Sequence, residues 1–201
     1  MKNIFTAHIT KGGFSCRYSR YIPINLKENQ MEFNRVIKER YSVRKYKPDM
    51  IWDDELNRIL EAGMLAPTGC NYQPQRIYVL KSDEAIAKIR SLSRCAFDAP
   101  VVLLIALDET ADWKRSLEAD CRAGIQDVSI VADHMMLAAW DIGIGSCWVN
   151  YFKPSEVKEA FDLPENETPI LLMTLGYPAD DSQPMKLHHE SKDMTQIVKV
   201  L

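Results

Sequence analysis

The chain has little that would tie it to nucleic acid, to a membrane or to a disulfide framework. Its 25 Lys and Arg stand against 28 Asp and Glu, a net charge of −3, and no basic block breaks the mixture. Binding a phosphate backbone needs a concentrated positive face, so nucleic acid is not an expected partner. No apolar run approaches the ~18 residues of a membrane span, so no membrane is expected either. The five cysteines contain no Cys-x-x-Cys and form no even framework, which suits a reducing cytoplasm. No G-x-G-x-x-G follows a strand, no P-loop is present, and Gly143-Ile144-Gly145 alone replaces neither. No G-x-S-x-G elbow appears. His188-His189 and the lone His134 lack partners at metal-ligand spacing, so no metal site is expected, and His134 reads as a hydrogen-bonded helix residue. Cys147 falls on a buried strand, where thiols are inert.

What the chain does have is an apolar content of 46% over 201 residues, enough for one domain with a full core. Its most informative stretch is Gly124 to Asn150. On a 3.6-residue wheel Gln126, Ser129, Asp133 and Asp141 share one side, while Ile130, Val131, Met135, Met136, Leu137, Ala138, Ala139 and Ile142 crowd the rest. A surface helix needs an apolar stripe of only ~100°. This helix is apolar over more of its girth, so it needs cover on two sides: a sheet on one, and more of the same chain or a second subunit on the other. It breaks at Gly143-Ile144-Gly145, and Ser146 to Tyr151 reads as a buried strand.

The remaining elements follow from period and punctuation. Helices are expected at 32–40, from a cap at Asp53 or Asp54 through Met64, at Asp83 to Leu92, and at Pro154 to Phe161. Strands are expected at Ile77 to Leu80, at Val101 to Leu107 and at Ile170 to Leu175. The continuous apolar run 101–107 places that strand at the centre of its sheet. Residues 109–122 read as a surface segment in which Trp113 is a partly buried anchor or a lid. The tail 180–193 is polar, and 197–201 reads as a strand-like piece for a sheet edge, including a partner's. The sum is an α+β or α/β chain with four or five strands and helices on the sheet's faces.

Two segments carry candidate chemistry. Arg40-Tyr41-Ser42-Val43-Arg44 sets two guanidiniums and a hydroxyl in an extended or turn segment ahead of Pro48, a pattern that suits phosphate; the plainer alternative is that Arg40 complements a helix C-terminus and Arg44 is solvated. Ala66-Pro67-Thr68-Gly69-Cys70-Asn71-Tyr72-Gln73-Pro74 is a rigid loop. Asn71 and Gln73 alternate along it, and amides that both donate and accept suit the edge of a heteroaromatic ring; a plain turn is the alternative.

Taken in order, three segments resemble the nitroreductase family of FMN-dependent oxidoreductases. Arg40-Tyr41-Ser42-Val43-Arg44-Lys45-Tyr46 is similar to the family's R-x-S-x-R-x-F/Y opening. Ala66 to Pro74 is similar to A-P-S-x-x-N-x-Q-P, with Thr68 in place of the usual Ser. The third runs from His134-Met135-Met136-Leu137-Ala138-Ala139 through Gly143-Ile144-Gly145-Ser146-Cys147-Trp148-Val149 to Gly176-Tyr177-Pro178. The match covers the chain from about Met31 to the C-terminus.

The resemblance implies an α+β fold with a central mixed or antiparallel sheet flanked by helices. It also implies a homodimer with the long helix in its interface, and two FMN sites built from both subunits. By position, Arg40, Tyr41, Ser42 and Arg44 would hold the FMN phosphate and ribityl chain. Pro67, Thr68, Gly69, Asn71 and Gln73 would line the isoalloxazine, from the other subunit. The run through Trp148, Val149 and Asn150 would bring backbone groups near the flavin N5. The tail position falls on Lys192, near His188, where the family more commonly has Arg. The implied activity is hydride transfer from NAD(P)H through the flavin to a nitroaromatic, quinone or similar acceptor, in ping-pong fashion, with no catalytic side chain assigned. The alternatives are another FMN chemistry on the same fold (dehalogenase, flavin-fragmenting enzyme or enone reductase) and a flavin-binding protein without turnover.

Residues 1–30 fall outside this match. Lys2, Lys11, Arg17, Arg20 and Lys27 are scattered there without period, and the apolar stretch of a secretory signal is missing. Lys27-Glu28 is encodable as AAGGAG, a ribosome-binding-type sequence just ahead of Met31. The expectation is an N-terminal extension that is either not native or disordered, followed by one FMN-binding domain over 31–201; the alternative is a real N-terminal arm that packs on a partner. N-terminal sequencing of the native protein is expected to begin at Met31; a first residue near Met1 overturns this.

Overall fold

The strand run at 101–107 organises the molecule. The structure is a computed structural model that describes residues 32–114, 116 and 121–201. The expectation for residues 1–30 lies outside these residues. The elements are α1 (Phe33–Glu39), α2 (Asp53–Met64), β1 (Gln75–Leu80), α3 (Asp83–Leu92), β2 (Val101–Asp108), α4 (Gly124–Asp141), β3 (Gly145–Val149), α5 (Pro154–Ala160), β4 (Glu167–Gly176) and a one-turn α6 (Met194–Ile197). The strands form one four-stranded sheet in the order β1-β2-β4-β3, every pair antiparallel.

β2 is buried along its whole length, and the period-two alternation of a strand divides its side chains between two cores. Leu103 and Ile105 face one cluster, with Ile59 of α2, Val128, Val131 and Met135 of α4, and Met173 of β4. Val102 and Leu104 face the other, with Ile86 and Ile89 of α3, Val157 of α5 and Cys147 of β3. The architecture is therefore three layers, α2 and α4 on one face and α3 and α5 on the other. Helices on both faces explain why a strand of an antiparallel sheet has no polar alternation. Among the described residues no helix is long and apolar enough to cross a membrane.

α4 covers the sheet with only part of its girth. Val128, Val131, Ala132, Met135 and Ala139 are buried, whereas Ile125 is 62% exposed and Ile130 is 39% exposed. The second cover that its composition calls for is not supplied by the described part of this chain.

Residues 42–47 form a strap along the sheet's open edge. Val43 N donates to Ser146 O at 2.9 Å, Lys47 N to Tyr177 O at 2.8 Å, and Ala179 N to Lys45 O at 3.0 Å. Ser42 bridges Ser146 in parallel sense. Below the strap, Tyr46 Oη donates to Val43 O at 2.7 Å and lies 2.6 Å from Thr174 Oγ1. Burial pushes the Tyr46 phenol well above its usual range, so it stays neutral.

Three expectations need correction. α2 is not capped by Asp53 or Asp54: Trp52 occupies the N-cap and its N–H donates to Glu55 Oε2 at 2.8 Å, while Asp53 pairs with Lys81 at 2.9 Å. β3 ends at Val149, so Asn150 and Tyr151 lie beyond it. The tail does not form a strand over 197–201; Ile197 closes α6, residues 198–201 have no regular structure, and all are exposed. Within this chain's described residues these positions pair with no sheet edge, and propensity alone does not make a strand.

Gly145 shows how closely the strap sits. A Cβ there would lie 2.7 Å from Val43 Cγ2 and 3.0 Å from Pro178 Cγ. Gly145→Ala is expected to destabilise the fold by about 1–3 kcal/mol through overpacking, read as a lower denaturant midpoint at unchanged slope.

Candidate functional site

The structure gathers the sequence-selected residues at two places, one at each end of α4. At the C-terminal end, the ring of Tyr41 packs edge-on against Trp140 with centroids 5.2 Å apart and meets His188 at 6.3 Å. Tyr41 Oη donates to the Ser182 hydroxyl at 3.1 Å or to its carbonyl at 3.2 Å. The aromatic step thus links the strap to the tail and brings His188 to the Arg40–Arg44 segment. Lys192 is exposed and is not drawn into this cluster.

Arg40 is half-buried and Arg44 exposed. Arg44 Nη1 donates to Ser42 O at 3.2 Å, which folds the guanidinium back along the strap. Arg35, Arg76 and Arg122 each meet a carboxylate; among the described residues Arg40 and Arg44 meet none. Two guanidiniums without acidic partners, beside the Ser42 hydroxyl, fit an anionic group such as a phosphate.

Beneath them, Cys147 is buried and its thiol is pushed up by that burial, although nearby Arg44 and Ser42 oppose the shift. This agrees with an inert core cysteine. β3 continues to Trp148, which is half-buried and whose Nε1 donates to Asn150 Oδ1 at 3.0 Å. Val149 sends its side chain into the core with α3 and α5, so only its backbone is available at the edge. His134 Nδ1 donates to Ile130 O at 3.0 Å, one turn back in α4.

The second place is the 66–74 loop at the N-terminal end of α4. Cys70, Asn71 and Gln73 have φ of 47°, 59° and 50°. Left-handed backbone costs about 1 kcal/mol for each such residue, so the loop must be held. Inside it, Asn71 N donates to Thr68 O at 3.0 Å, Gln73 N to Thr68 Oγ1 at 3.0 Å, and Gln73 Nε2 to Asn71 Oδ1 at 3.1 Å. The two amides expected to work together are therefore in contact. The Thr68 hydroxyl accepts within the loop and retains its own proton to donate. Asn71 is exposed, and among the described residues its Nδ2 has no partner. Pro67 is exposed and Gly69 is half-buried beside Trp113. Trp113 is thus a half-buried anchor against this loop.

Two clamps on the loop were not visible in the sequence reading. At its trailing end Arg76 Nη1 donates to Gln73 O at 3.2 Å, and Arg76 Nη2 pairs with Asp108 Oδ2 at 2.5 Å. Thr110 and Asn166 also donate to Asp108, at 2.6 and 2.8 Å. At the leading end Gly69 N donates to Asp127 Oδ1 at 2.9 Å. Asp127 had a signal: it is an acid on the otherwise apolar sector of α4 that carries Val128 and Val131. Asp108 has a local partner in Thr110, two residues on, but its link to the loop was not legible because Arg76 and Asn166 are 32 and 58 residues away.

A cleft of about 550 Å³ lies elsewhere, lined by Asp49, Met50, Ile51, Trp52, Asp53 and Tyr177. It contains none of the sequence-selected residues.

A model of the nitroreductase family matches residues 37–99 and 91–177, which include the strap, the loop, α4 and β3. The chain belongs to the nitroreductase family. A nitroreductase family protein of Clostridium difficile 630, solved by crystallography, is 35% identical and superposes with a TM-score of 0.78 over 84% of this chain and 98% of that one. The FMN reductase [NAD(P)H] of Bacillus subtilis strain 168 is 28% identical over 169 residues, 74% of this chain and 68% of that protein. A protein of Exiguobacterium sibiricum 255-15 solved in complex with FMN shares the fold, with a TM-score of 0.74 and 20% identity over 87% of this chain and 99% of that one.

This nitroreductase-family chain makes a pH-dependent prediction. Asp108 is held down to about 2, first by the Thr110 hydroxyl, then by Asn166, the Thr110 N–H and Arg76. A carboxyl depressed from its ordinary value near 4 adds stability that is present above that value and lost as pH falls through the folded one. Asp108→Asn is expected to be less stable than wild type at neutral pH, the gap closing between about pH 4 and about pH 2 as wild type protonates. Urea denaturation at stepped pH measures it; a gap that does not depend on pH refutes it.

Proposed function

We propose that the protein is an FMN-dependent NAD(P)H oxidoreductase that acts as a homodimer and passes reducing equivalents to a nitroaromatic, quinone or similar acceptor by a ping-pong mechanism. The observation that carries this reading is the division of the site residues between the two ends of α4. The loop is tied at Asp127 and the strap-side aromatics at Trp140, thirteen residues apart in the helix. At ~1.5 Å rise per residue that is about 20 Å, too far for the two groups to grip one small molecule within a chain. A second copy packed against the uncovered apolar side of α4 would bring one chain's loop to the other chain's strap.

The residues fit the cofactor. Arg40 and Arg44, which meet no carboxylate among the described residues, and the Ser42 hydroxyl match a phosphate, and half-buried Tyr41 with exposed His188 extends that surface toward the tail. Lys192 is the remaining candidate for a phosphate contact from the tail. The Thr68 hydroxyl, the Asn71 amide and the Gln73 amide present donors and acceptors suited to the polar edge of an isoalloxazine, with Pro67 and Gly69 giving a flat approach. Bound FMN would supply hydride transfer at its N5, the step that no protein side chain can perform. The chain's part is to bind, orient and tune: β3 offers backbone at Trp148 to Asn150, and the guanidiniums hold positive charge near the phosphate. One pocket that serves donor and acceptor in turn leads to ping-pong kinetics. The name of the B. subtilis relative, an FMN reductase using NAD(P)H, supports the same assignment.

Arg44→Ala is expected to weaken FMN binding about 10- to 100-fold, the equivalent of ~1.5–3 kcal/mol for a hydrogen bond to a charged group, with little change in the fold. Fluorescence titration of the apoprotein measures it. Unchanged FMN affinity removes the phosphate assignment. A wild-type protein that ignores added FMN removes the flavin reading as a whole.

A further inference from the structure

Asp127 is 4% exposed, on the face of α4 that packs into the core. Its Oδ1 accepts from Gly69 N at 2.9 Å, while its Oδ2 is buried with no hydrogen-bond partner among the described residues. Burying a carboxylate on so few partners is costly, and an alanine would pack on this face without that cost. The first turns of α4 offset part of it, because a helix N-terminus favours negative charge. What the carboxylate adds that an apolar residue does not is the bond to the loop.

We propose that Asp127 is a positioning residue for the flavin-facing loop: by holding the Gly69 N–H it fixes the leading end of Pro67–Gln73, and with it the direction of the Thr68 hydroxyl and the Asn71 amide. This rests on the flavin reading above. The loop's internal bonds use Thr68 O, Thr68 Oγ1 and Gly69 O, but leave the Gly69 N–H for an outside acceptor. Three of the next four residues, Cys70, Asn71 and Gln73, are in left-handed conformation. A segment that strained keeps one shape only if both ends are tied. Arg76 ties the trailing end through Gln73 O, and Asp127 ties the leading end. The seat is close: a Cβ at Gly69 would lie 3.3 Å from Trp113 Cβ and 3.4 Å from Asp127 Oδ2.

The test compares wild type, Asp127→Ala, Asp127→Asn and Asp127→Leu in FMN affinity, in the shape of the bound flavin's visible bands and in apoprotein melting temperature. Asp127→Ala is expected to bind FMN about 10-fold more weakly, the scale of one lost hydrogen bond to a charged group, with altered band shape. Asp127→Asn keeps a carbonyl acceptor for Gly69 and is expected to recover most of both. Should Asp127→Ala fail to fold, Asp127→Leu decides: it is close to isosteric, removes the acceptor for Gly69 N, leaves every flavin-lining residue unchanged, and is expected to shift the bands and weaken FMN. A lower melting temperature with wild-type FMN affinity and bands in the folded variants overturns the proposal and leaves Asp127 a purely structural residue. Wild type failing to bind FMN overturns the flavin reading itself, and the proposal with it.

Discussion

The structure depends on α4 being wrapped by more than one surface. Its buried sector seals the core between the sheet and α2, and that contact fixes both ends of the helix relative to β3 and β1. Everything assigned to the site hangs from those ends. The strap reaches the C-terminal end through the edge-on packing of Tyr41 against Trp140, and β3 beyond it through Ser146. The loop reaches the N-terminal end through Asp127. A rigid helix of eighteen residues holds these two groups a constant distance apart, and no loop movement within one chain closes it. The same helix leaves Ile125 and Ile130 exposed, and in the proposed homodimer that surface would also complete the site.

The two groups solve opposite electrostatic problems. Around the loop the guanidiniums are matched: Arg76 by Asp108, and Arg122 by Asp112 at 2.7 Å. Along the strap it is left unmatched, with Arg40 and Arg44 facing no carboxylate among the described residues. In a chain of net charge −3 an unmatched positive pair is an attractor for anions and is weakened by salt. One end of α4 is thus suited to a phosphate, the other to a neutral ring with a polar edge.

Much of this was legible in the sequence because it was local. The continuous run 101–107 identified the central strand, and the paired Gly143 and Gly145 marked the end of α4. The stretch from Arg40 to Arg44 was read as an extended or turn segment, and its pairing with Ser146 makes it extended. The amide pair in the loop was legible from alternation. What failed was of two kinds. The tail strand was inferred from β-branched composition, which has no meaning without an edge to pair with. The cap on α2 was assigned to an aspartate by preference, whereas the Glu55 carboxylate reached back to Trp52 and left Asp53 to pair with Lys81.

The clamps on the loop belong to a different class, because they join residues far apart in the chain. Nothing near Arg76 announces Asp108, and nothing near Gly69 announces Asp127. Yet the loop's own sequence contains the reason they exist. Cys70, Asn71 and Gln73 are not glycines, and each occupies backbone that glycine would adopt without strain. Glycines there would have made the loop easy to form and equally easy to deform. Side-chain-bearing residues make the same path unfavourable in isolation, a cost offset by the loop's internal hydrogen bonds together with those to Arg76 and Asp127. A loop of that kind is either in one shape or released, which is what a surface against a planar ring requires.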